Sequence, residues 1–172
     1  MSSPTRRALL AAVLVLTALA IQLTVLARLP LPGGTPDLLL LVVITFGLVH
    51  GPVTGMAVGF GAGLAMDLVP PSDSPAGLWA LVLCVMGYLA GLGRAETERS
   101  PLAPLAIVVG LTALEVVAFA ALSVLLGSPR VSWVGLVGVA VSTVAYTVVL
   151  APFVIPFVTG LCRWVEPVTT RR

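Results

Sequence analysis

The chain has 172 residues, of which 59% are hydrophobic and 9% charged, and its mean hydropathy is +1.15, far from the roughly one-quarter charged make-up of a soluble domain. Nine arginines against seven acidic residues leave a net charge of +2, too little for an electrostatic footprint on nucleic acid. Cys84 and Cys162 have neither metal-ligand spacing nor a disulfide framework, so the composition points to a helical protein with hydrocarbon as its solvent.

The first apolar segment, residues 8–26, follows Arg6 and Arg7 and has the ~20 residues a spanning helix needs. Ala18-Leu19-Ala20 resembles a signal-peptide cleavage site, but the apolar run continues to Leu26, which favours a retained anchor. Thr35-Pro36-Asp37 predicts a second helix over 36–49, with threonine as cap, proline in the first position and a carboxylate near the positive end of the dipole. At 1.5 Å per residue it is about 21 Å long, less than the ~30 Å hydrocarbon core. It is therefore expected inside the bundle or in a locally thinned bilayer.

His50-Gly51-Pro52 predicts a tight hairpin, glycine supplying a left-handed cap and proline opening a third helix over 52–66. That helix ends at Asp67 and the proline-rich segment after it. Ser74-Pro75 opens a fourth helix over 75–93 and Ser100-Pro101 a fifth over 101–126. Gly127-Ser128-Pro129 separates this from a sixth over 131–158, where Pro152 and Pro156 predict a kink. The expected architecture is all-α: a polytopic membrane protein with six transmembrane helices in one bundle, forming a single domain across 1–172.

With a cytoplasmic N-terminus, six crossings place Arg6, Arg7, Arg94, Arg99, Arg163, Arg171 and Arg172 inside and leave Arg28 and Arg130 outside. This is the bias of the positive-inside rule, and both termini are expected in the cytoplasm. Trp79, Trp133 and Trp164 fall at predicted membrane boundaries, where indole is preferred.

Glycine recurs every fourth position at Gly47, Gly51, Gly55, Gly59 and Gly63, with Gly61 interleaved, and Gly87 and Gly91 repeat the spacing. Small residues four apart let backbones approach closely in lipid. Gly55, Gly59, Gly63, Gly87 and Gly91 are thus expected to pack helices within the monomer, or to form a groove for another protein's helix. Glu115 is the ionisable residue inside a predicted span, with no basic residue at its depth. A protonated or hydrogen-bonded carboxyl facing the sixth helix is expected, with Ser142, Thr143, Tyr146 or Thr147 as partners; a proton or substrate site is the sharper alternative. Asp67 stands near a dipole end that disfavours anions, and Arg28 or Arg130 is its expected partner. His50, the single histidine, reads as a turn residue. No nucleophile elbow, phosphate loop or paired carboxylates appear, so no enzyme activity, cofactor or metal is expected.

Residues 36–94 resemble the rod shape-determining protein MreD family: Pro36-Asp37-Leu38-Leu39-Leu40-Leu41, the run GMAVGFGAGLAMD from Gly55 to Asp67, Gly77-Leu78-Trp79-Ala80-Leu81, and Gly87-Tyr88-Leu89-Ala90-Gly91. The resemblance implies a non-enzymatic component of the cell-elongation machinery of a bacterial inner membrane, one that holds the bitopic protein MreC. Through MreC it would be linked to MreB filaments, to the glycosyltransferase RodA and to a class B penicillin-binding transpeptidase, and so to side-wall peptidoglycan synthesis. MreC is expected on the third-helix glycine face or on the loop from Asp67 to Ser74. The six-helix layout is also similar to the substrate-binding subunit of energy-coupling-factor vitamin transporters, and Ala8 and Ala12 have the small-residue spacing such subunits use for docking. The predicted outer ends offer few polar or aromatic groups to grip a vitamin, which ranks that reading second.

Overall fold

Seven α-helices carry the fold in a computed structural model that describes residues 3–28, 33–69, 77–100, 102–125 and 133–165. They are α1 (Ser3–Thr24), α2 (Leu38–His50), α3 (Pro52–Asp67), α4 (Leu78–Leu92), α5 (Arg94–Arg99), α6 (Ala103–Leu125) and α7 (Trp133–Val165), with a single 3₁₀ turn at Leu26–Arg28. The Pro70 to Pro75 segment, Pro101, the Gly127-Ser128-Pro129 break, Arg130, Arg171 and Arg172 lie outside the described residues.

The short α2 is the axis of the molecule. Every residue from Leu39 to Leu48 is buried, because α1, α3, α4 and α7 all pack around it. A helix apolar on all sides has no solvated face and belongs in an interior. The peripheral helices show the reverse: Leu16, Val53, Phe60, Leu81, Val137, Phe153 and Phe157 stand exposed on the outside of the bundle. So much large apolar surface is compatible with hydrocarbon, not with water. Among the described residues, three helices contain stretches long and apolar enough to cross a membrane, Thr5–Thr24, Ala103–Leu122 and Val137–Val165, while Leu38–His50 and Leu78–Leu92 are shorter apolar helices.

Several local signals act one to three residues from their expected places. The cap of α2 is Asp37, not Thr35: its Oδ1 accepts from Leu40 N at 2.8 Å, so the helix starts at Leu38 and Pro36 precedes the cap. Gly51 ends α2 and opens α3 with φ +92° and ψ 177°, a positive φ that glycine adopts freely. Its extended ψ puts it outside the left-handed helical region expected of the cap. The fourth helix begins at Leu78, after Gly77 at φ +92°, rather than at Ser74-Pro75. Downstream, α7 remains helical through Pro152 and Pro156 as far as Val165; each proline removes one backbone donor without ending the helix.

Candidate functional site

Three features compete for a functional role: a glycine seam, an open groove and a buried acid. The seam joins α3 to α4, the most extensively packed pair of helices. A methyl group at Gly55 would meet the carbonyl of Gly87, at Gly59 that of Leu83, and at Gly63 that of Trp79. At Gly91 it would meet the backbone of Pro52. Both helices step by four residues in opposite directions, an antiparallel register in which bare backbone faces bare backbone. Gly47 of α2 enters the same junction, where an added Cβ would lie 2.8 Å from the Gly87 oxygen and 2.9 Å from the Gly91 nitrogen. The α4 backbone therefore fills the glycine face of α3, and a partner helix cannot enter where MreC was expected. The other expected docking place, the loop from Asp67 to Ser74, is largely outside the described residues.

The groove lies on the next face of α3. Ala8, Ala11, Ala12 and Val15 of α1 form one wall, and Thr54, Ala57, Gly61 and Ala65 of α3 the other, around about 470 Å³ with Arg7 at one end. An added Cβ at Gly61 would meet nothing within 4 Å. Ala57, Gly61 and Ala65 form a second row of small residues at fourfold spacing, offset from the glycine row, and that signal is present in the sequence.

Asp67 and Asp37 are both helix caps. The Asp67 carboxylate, 8% exposed, accepts from Gly77 N at 3.0 Å, Ala80 N at 3.0 Å and Trp79 N at 3.3 Å. It ends α3 and caps α4 across the intervening loop. The unpaired amides and positive dipole end of α4 thus compensate the charge; of the two arginines expected as partners, Arg130 lies outside the described residues.

Glu115 is 3% exposed on the inner face of α6, which packs against α2, the helix that Asp37 caps. Its Oε1 has no hydrogen-bond partner, and neither does Oγ1 of fully buried Thr112, one turn earlier on the same helix. Two of its expected partners are engaged elsewhere: Ser142 Oγ accepts from Gly34 N at 2.7 Å and Thr147 Oγ1 from Asp37 N at 3.0 Å. These bonds pin the strap 33–37 onto α7, while Gln22 Oε1 of α1 accepts from Leu39 N at 3.0 Å. Thr112 and Gln22 were missed in the sequence because nothing separates them from other polar residues in apolar helices.

The tryptophans divide. Trp164, near the end of α7, is 84% exposed, whereas Trp79 packs against Phe119 with ring centroids 4.4 Å apart. His50 stacks on Phe46 at 5.5 Å, beside the Gly51 turn.

A bundle greasy on its outside around a fully buried short helix defines a helical membrane protein. A family model described as rod shape-determining protein MreD matches residues 4–165, nearly the full length, and the chain belongs to that family, whose role is in determining rod shape. No curated protein and no solved structure matches the chain.

Proposed function

We propose that this protein is a non-enzymatic scaffold of the cell-elongation machinery in a bacterial inner membrane. It crosses the bilayer six times with both termini in the cytoplasm, holds MreC, and through MreC is connected to MreB, RodA and a class B penicillin-binding transpeptidase. The family match over residues 4–165 carries this reading. The distribution of arginine supports the orientation.

For MreC, a bitopic protein that brings a single membrane helix, the groove between α1 and α3 is the receiving surface. Small residues on both walls favour close helix approach in lipid, where van der Waals packing drives association. Gly61 makes a clean test, because its neighbourhood is open: Gly61→Leu fills the groove and leaves the α3–α4 seam alone. We expect wild-type protein solubilised from native membranes to bring down MreC, and Gly61→Leu to lose most of that yield at unchanged expression. An undiminished yield would remove the groove from the reading. Absence of MreC from the wild-type complex would remove the scaffold itself. Gly59→Leu cannot serve here, since it drives a side chain into the Leu83 carbonyl and damages the fold first.

A further inference from the structure

Halfway through the bundle, α2 starts from a polar junction that packing alone does not account for. At 1.5 Å per residue, Asp37 lies about 20 Å from His50 at the other end of α2, and Glu115 about 18 Å along α6 from Ala103. Those two helix ends lie at the same end of the bundle, because Arg94, just ahead of α6, reaches Gly51. Asp37 and Glu115 therefore share one depth, near the bilayer midplane if the six-crossing reading holds. Irregular backbone such as the strap 33–37 is tolerated at that depth only where protein or a polar cavity satisfies it.

Three amides here are satisfied: Gly34 N and Asp37 N of the strap donate to Ser142 Oγ and Thr147 Oγ1, and Leu39 N, two residues beyond it, donates to Gln22 Oε1. Glu115 Oε1 and Thr112 Oγ1, both more than nine-tenths buried, are not. Buried polar atoms nearly always have partners. Two orphaned oxygens on one face of α6, with a second carboxyl capping the helix packed against it, form an all-oxygen cluster that lacks a positive charge.

The groups around Glu115 can be gone through element by element. From the α2 end comes Asp37. The titratable residues of α4 are Cys84 and Tyr88, and those of α7 are Tyr146, Cys162 and Arg163, the last two near the C-terminal end of the helix. The charges of α5 sit at the far end of α6, where Arg99 pairs with Glu96 at 3.2 Å, and α1 contributes the neutral amide of Gln22. Among the described residues no three His, Cys, Asp or Glu side chains converge, so the donor set is not that of a transition-metal centre. Oxygen donors suit hard cations, and three side chains fall well short of the six to eight oxygens Ca²⁺ takes, which leaves a proton or Na⁺.

We propose that Glu115, Thr112 and Asp37 form a binding site for one positive charge, a proton or Na⁺, reached past the strap 33–37, where Gly33 and Thr35 are exposed. Binding there fastens the N-terminus of α2 to α6 and so stabilises the centre of the bundle.

The test uses the full chain purified into nanodiscs of zwitterionic lipid, without MreC, so that its outcome is independent of the scaffold reading. Thermal midpoints are measured in NaCl and in choline chloride from acidic to neutral pH, together with the infrared carboxyl stretch. If the ligand is Na⁺, the midpoint rises with each tenfold step in NaCl and both Glu115→Gln and Thr112→Val lose that rise. If it is a proton, the midpoint and a protonated-carboxyl band change with pH but not with NaCl, and Glu115→Gln removes the band. Should Glu115→Gln fail to fold, Thr112→Val and the wild-type spectra still decide. A wild-type protein whose midpoint and carboxyl bands ignore both pH and Na⁺, or variants that respond as the wild type does, overturns the proposal.

Discussion

A carboxylate at the C-terminal end of a helix faces the wrong end of a dipole, yet Asp67 is buried there and accepts three backbone hydrogen bonds from the start of α4. One side chain thus closes one helix and opens the next. Asp67→Ala strips these acceptors and leaves amides unpaired in an apolar setting, at a cost of about 2 kcal/mol. Asp67→Asn keeps one good acceptor oxygen and should lose less; unfolding in mixed micelles measures both. Equal stability of Asp67→Ala and wild type would refute the capping role. The sequence marks Asp67 as anomalous but not its remedy. The donating amides lie ten to thirteen residues downstream, beyond a proline-rich segment, and no local rule connects them. Asp37 was read as a carboxylate near the dipole end, with Thr35 as the cap, although the bond that makes Asp37 the cap spans only three residues.

Between elements, the seam of α3 and α4 shows how two rows of small residues with the same spacing come to differ. Gly55, Gly59 and Gly63 face the α4 backbone, whereas Ala57, Gly61 and Ala65 face the groove beside α1. The period of four was legible in the sequence, but which row meets which neighbour was not, since α4 and α1 are both apolar and the choice is made by three-dimensional packing. The two rows should respond differently to a single methyl. Gly59→Ala puts Cβ against the Leu83 carbonyl and should destabilise by about 1–3 kcal/mol as the helices separate. Gly61→Ala should stay within about 0.5 kcal/mol of wild type. Thermal midpoints of the two variants in the same detergent compare them directly, and similar losses would mean that the seam does not have this register. Helix boundaries follow the same division: caps set by adjacent residues were read to within three positions, while the start of α4 depends on the distant Asp67.

Across the whole molecule, hydrophobicity and arginine were the legible quantities, because solvation depends on composition and summed charge rather than on contacts. The short length of α2 left two readings, a place inside the bundle or a locally thinned bilayer, and its burial from Leu39 to Leu48 matches the first. The groove and the Glu115 junction were not legible, because both arise where helices far apart in sequence meet. Orientation is the remaining property at this scale. Arg94 and Arg99 flank α5 at the same end of the bundle as Gly51, and Arg163 lies in the last turn of α7; with Arg6 and Arg7 they are arginines that the proposed orientation places in the cytoplasm. Arg28 lies in the 3₁₀ turn beyond α1. A reporter active only outside the cytoplasm should be silent when fused after Arg172 and active when fused after Ser128, between α6 and α7. The reverse pair would invert the bundle and place the mouth of the Glu115 junction on the cytoplasmic side. Activity at both fusions would mean that α7 does not cross, and the count of six would fall with it.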